Sequence, residues 1–121
     1  MHEYPKPIKK LLREFLGTAY ERELHRELTQ LDRRFAEWRA GTIGSGELSD
    51  HIHRFETGPS RELFKLYNYG QHDMSVAYAI VTGILQREEV PAELLEALAR
   101  PLAFYQSLKD QDDLKEPGER L

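Results

Sequence analysis

The stretch IKKLLREFLGTAYERELHRELTQLDRRFAEW, residues 8–38, decides the fold. It contains no proline, and apolar residues recur at Ile8, Leu11, Leu12, Phe15, Leu16, Ala19, Tyr20, Leu24, Leu28, Leu31, Phe35 and Trp38. Steps of three and four put such residues on one side of an α-helix. From Leu24 onward the steps are 4, 3, 4, 3, the seam of a coiled coil or of a helical hairpin. Ahead of Gly17 the seam is offset, which predicts a bend or a slow rotation of the stripe. At about 1.5 Å per residue the helix is nearly 50 Å long, more than one compact domain readily covers.

On the amino-terminal side, Pro5 and Pro7 push their preceding residues out of helical geometry, so residues 1–6 are expected as an extended arm with Pro7 opening the helix. On the other side, Gly41, Gly44 and Gly46 end it, with a glycine supplying the left-handed cap. Ser45 is then expected to cap a short second helix carrying Leu48, Ile52 and Phe55 inward. Gly58-Pro59-Ser60 is expected to break that helix before a third with Leu63, Phe64, Leu66 and Tyr67, Phe64 and Tyr67 being read as core. Tyr69, after the helix, is expected to be partly exposed.

Asp73 reads as the cap of a fourth helix, Met74 to Arg87. Its run Val76-Ala77-Tyr78-Ala79-Ile80-Val81 is apolar all round, the mark of a central, buried helix. Val90-Pro91 opens a fifth, which Pro101 kinks or divides in two. The charged stretch 110–121 reads as a frayed tail. The fold class that follows is all-α: one domain, 1–121, a compact bundle of five to six helices with one long amino-terminal helix.

Composition sets the outer limits. With 121 residues, 40% hydrophobic and 31% charged, the chain is too apolar for disorder and too charged for a membrane protein. It has no cysteine, which removes disulfides, zinc–thiolate sites and thiol nucleophiles together and leaves a reducing cytoplasm as the default location. The net charge of −4 is uneven, with nine Lys/Arg against seven Asp/Glu in residues 1–40 and five against ten in residues 71–121. Acidity concentrated at one end repels phosphate backbones and disfavours broad nucleic-acid binding.

Histidine is the candidate for metal or acid–base chemistry. His51 and His53 lie two apart and point to opposite sides of a helix, so they do not chelate together. His25 with Glu21, His51 with Glu47, and His53 with Asp50 or Glu56 have helical pair spacing, but the Glu-x-x-His motif of bundle metal sites is absent. His72-Asp73 reads as a loop histidine beside a cap rather than a catalytic pair. No nucleophile motif, phosphate loop or dinucleotide fingerprint is present. No catalytic residue, cofactor or metal is therefore expected, and an enzyme is not the preferred reading.

The expected function is a non-catalytic helical interaction module that self-associates, or docks on another protein, through Leu24, Leu28, Leu31, Phe35 and Trp38. The alternative is a small regulatory protein of the antitoxin or defence-associated kind. It would touch nucleic acid through Lys6, Lys9, Lys10 and Arg13 and the stripe Arg22, Arg26 and Arg33.

Overall fold

In the computed structural model, which describes residues 3–121, the chain folds into six α-helices, and no strand occurs among the described residues. The first helix, α1 (Lys6–Arg39), is an unbroken rod of 34 residues. It ends in paired capping bonds: with Gly41 at φ +79°, its N–H reaches the Trp38 carbonyl (3.0 Å) and the Thr42 N–H reaches that of Glu37 (2.8 Å). This satisfies carbonyls that a helix end otherwise leaves bare. Of the expected arm, residues 1 and 2 lie outside the described residues, residues 3–5 lack regular structure, and Lys6 is already helical.

The chain reverses through residues 40–44 into α2 (Ser45–Phe55). Gly44, not Ser45, occupies the cap position. Ser45 is the first helical residue, and its hydroxyl accepts the Trp38 indole N–H at 3.0 Å, tying the two ends of the turn together.

Pro59 does not break the helix as the sequence suggested. Glu56–Ser60 forms one π-turn that runs directly into α3 (Arg61–Asn68), and the backbone stays in the right-handed helical region at both junctions. A proline ring collides with the carbonyl four residues earlier and removes that bond. Widening the turn to i→i+5 relieves both problems without ending the helix. Residues 45–68 therefore form one bent rod beside α1.

A tight connection leads to α4 (His72–Thr82), in which Val76 through Val81 are all buried. It is shorter than expected because Gly83, at φ +86°, stops it. Gln71 occupies the cap position without a side-chain capping bond, and Asp73 lies inside the first turn, where one carboxylate oxygen accepts the Met74 N–H (2.8 Å) and the other the Tyr4 hydroxyl (2.9 Å). A 3₁₀ turn at Arg87–Glu89 leads to α5 (Ala92–Ala97) and α6 (Ala99–Asp110), divided at Leu98. Pro101 sits in the first turn of α6, where a missing N–H costs nothing.

The core draws Ile8, Leu12, Leu16 and Ala19 from α1, Leu63 and Tyr67 from α3, most of α4, Leu94 from α5, Leu98 from the junction and Leu102 from α6. The carboxy-terminal residues are not frayed. Pro117 is buried, Leu114 and Leu121 pack on the core, and Pro117–Arg120 forms a 3₁₀ turn across the bundle. Charge alone hid this, because the apolar residues of the segment are spaced irregularly.

The turn between α3 and α4 permits little change at Gly70. A Cβ there would stand 2.5 Å from the Leu66 carbonyl oxygen, a backbone atom that cannot step aside. Gly70→Ala should lower unfolding free energy by about 1–3 kcal/mol, measured by urea denaturation.

Candidate interaction surface and the buried charge beside it

The apolar stripe of α1 has two phases. Its buried residues are Ile8, Leu12, Leu16, Ala19 and Glu23, and none beyond Glu23 is buried. Leu16 and Leu28, twelve residues apart, project about 120° apart on an ideal helix. The amino-terminal phase therefore serves the core, at whose edge Leu24 still packs, while the phase from Leu28 onward faces another side, where α2 and the π-turn lie.

Residues 24–39 and α2 thus form an arm. Leu24, Leu31 and Phe35 are half-buried along it, whereas Leu28 is 45% exposed, Trp38 41% and Ile52 40%. Phe55 is half-buried and Leu48 fully so. One helix partner covers only part of an apolar stripe this broad. A cleft of about 240 Å³ separates the two rods, lined by Glu27, Gln30, Leu31, Arg34, His51 and Arg54 among others.

Local pairs neutralise much of the charge on the arm: Arg26 bonds Glu27 (2.9 Å), Arg34 bonds Glu37 (2.8 Å) and Arg54 bonds Asp50. Of the expected basic stripe, Arg22 is drawn away to the loop after α4. It donates to the Ile84 carbonyl (2.9 Å) and makes a two-pronged pair with Glu89 (2.7 and 2.9 Å). That guanidinium, helped by the Gln86 N–H, holds the Glu89 carboxyl at about 2, well below the usual 4.5.

The histidines stay apart. His25 approaches Glu21 at 4.0 Å with both side chains exposed, and among the described residues no group of three or more His, Asp or Glu side chains is arranged to hold a metal ion. Phe64, expected in the core, is 47% exposed and meets the exposed Tyr69 edge-on, because α3 turns Leu63 and Tyr67 inward instead.

Sequence reading missed a buried cluster. Glu23 is 2% exposed and accepts two bonds from Arg120 (2.9 and 2.7 Å) and one from the Tyr67 hydroxyl. The Arg120 guanidinium lies 4.2 Å above the Tyr78 ring, and Tyr67 packs against Tyr20. Burial, reinforced by Glu23, pushes the Tyr67 hydroxyl far above its ordinary value, and burial also raises Tyr78. A signal for Glu23 did exist: it continues the buried stripe Ile8, Leu12, Leu16, Ala19 in strict phase. Nothing local marks Arg120.

Among the described residues no helix is long and apolar enough to cross a membrane. No family model, curated protein or solved structure matches this chain.

Two titrations check this geometry. Glu89 has a lowered pKa, so its pair with Arg22 stabilises the fold fully above about pH 4.5 and loses that effect as pH falls through about 2. The melting-temperature gap between the native chain and Glu89→Gln should close across that window. At the other end, raised tyrosine pKa values stabilise the fold fully below about pH 10 and lose that effect progressively as pH rises above it. Tyr67→Phe, which strips a hydroxyl from buried Glu23, should cost about 1–3 kcal/mol at neutral pH and flatten the alkaline fall.

Proposed function

We propose that the chain is a non-catalytic interaction module that pairs with a second copy of itself through the arm formed by residues 24–39 and α2. The observation that carries this reading is the set of half-exposed apolar side chains, Leu28 and Trp38 on a rod that outruns its own core and Ile52 on the helix beside it. Trp38 is the residue type most often found as an interface anchor, and its indole is already oriented by Ser45.

Charge favours a second copy as the occupant. Residues 24–55 hold five basic residues (Arg26, Arg33, Arg34, Arg39, Arg54) and five acidic ones (Glu27, Asp32, Glu37, Glu47, Asp50), a net of zero in a chain of net −4. A neutral surface on an acidic protein meets its own copy without repulsion, and two-fold pairing is the commonest way to cover such a face. The same pairing of charges leaves little field for nucleic acid.

Light scattering coupled to size-exclusion chromatography tests the reading. At about 50 µM, a concentration that populates a micromolar dimer, the native chain should show a mass near twice 14.1 kDa. Leu28→Glu should be monomeric, and Trp38→Ala should weaken pairing by about 10- to 100-fold, both with unchanged far-ultraviolet circular dichroism. A monomeric native chain would overturn self-association.

A further inference from the structure

Gly17 sits in the interior of α1, where glycine is less favourable than alanine because it orders more backbone and adds no side-chain contact. Nothing in the fold calls for it. Its φ is not among the positive ones, and a Cβ at that position would meet nothing within 4 Å. What the missing side chain leaves is the open side of a cavity of about 290 Å³ between α1, α3 and the start of α4.

Arg13, Gly17 and Tyr20 follow one another at steps of four and three, so they line one side of α1. The floor of the cavity is apolar: Leu16 is buried, and the rings of Tyr20 and Tyr67 lie 5.3 Å apart, tilted by 35°. The Tyr67 hydroxyl is taken by Glu23, so this residue offers the cavity only its ring.

The rim is polar, and none of the described residues lining the cavity is acidic. Arg13 and His72 are exposed, and neither makes a hydrogen bond or ion pair with a described residue. Asn68 donates one amide N–H to the Phe64 carbonyl (2.9 Å) and keeps the other. A guanidinium, an imidazole and a carboxamide thus border an aromatic floor with no carboxylate of the chain to neutralise them.

We propose that this cavity binds a small aromatic carboxylate. Its ring lies over Gly17 against Leu16, Tyr20 and Tyr67, where offset or edge-on contact with the tyrosine rings is favourable. Its two oxygens meet the Arg13 guanidinium fork, with His72 and Asn68 as further donors. One permanent charge on the lining suits a monoanion, and a cavity at the lower limit of small-molecule sites holds a single ring rather than a nucleotide. The site lies ahead of the arm on α1 and does not depend on self-association.

The test titrates the ¹⁵N-labelled full chain with benzoate and follows its amide resonances. Shifts should concentrate at residues 13–20 and 67–72 and saturate with a Kd of about 1 mM, as expected of so small a ligand. Benzamide keeps the shape without the charge, and acetate keeps the charge without the ring. Each should bind at least about 10-fold more weakly. Arg13→Gln should weaken benzoate by about 10-fold. Gly17→Leu, whose side chain fills the cavity, should abolish binding while raising the melting temperature by about 3 °C, which separates loss of the site from loss of the fold. Should the leucine variant not fold, Gly17→Ala narrows the cavity by one methyl group and should weaken binding with the same gain in melting temperature. No shift at about 20 mM benzoate, equal binding of benzamide or acetate, or benzoate binding untouched by Arg13→Gln or by the Gly17 variant would overturn the proposal.

Discussion

The buried carboxylate of Glu23 constrains more of this molecule than any single apolar contact. A charge enclosed by protein must be met by opposite charge and by hydrogen bonds, or the fold forfeits several kcal/mol. Here three segments answer it: Tyr67 from α3, the ring of Tyr78 from α4 by way of the guanidinium it carries, and Arg120 from the carboxy-terminal 3₁₀ turn. Each is remote from Glu23 in sequence. Their convergence sets how α3 and α4 lie against α1, and it gives the charged end of the chain a defined seat. Apolar packing is tolerant of small slides, whereas a two-pronged ion pair is not.

Position along α1 gives that constraint its wider effect. Glu23 stands where the buried stripe stops and the arm-facing phase begins. Toward residue 6, the helix is a core element packed by α3, α4 and α5. Toward residue 39, it becomes one rod of an arm. The π-turn at Pro59 is the matching device on the facing rod. It lets residues 45–68 stay helical along both regions, with α2 lying on the arm while α3 delivers Leu63 and Tyr67 to the core. A broken helix at that point would have uncoupled the two.

The surface chemistry follows from the same division. The arm carries balanced charge and half-exposed apolar residues, while the acidic excess sits on the remainder of the chain. Of the arginines expected to form a basic stripe, Arg26 is spent on the neighbouring Glu27 and Arg22 on a staple to the loop after α4. The staple fixes the end of the most buried helix against the midpoint of the longest one.

What the sequence determined was whatever depends on neighbours along the chain. Three-and-four spacing specified α1, glycine specified its end, an all-round apolar run specified a buried α4, and the proline rules placed the division between α5 and α6. The seam Leu24, Leu28, Leu31, Phe35 and Trp38 was legible as apolar, but how much of it α2 covers was not, because coverage depends on where another helix lies. Pro59 reads locally as a break, yet the wider π-turn around it keeps the chain helical. Phe64 and Tyr67 are three apart on one helix and equally suited to a core, and the direction from which α1 approaches α3 decided between them. Glu23 and Arg120 lie 97 residues apart. Their meeting is a property of the tertiary structure, since only a complete bundle encloses the carboxylate and so requires the arginine.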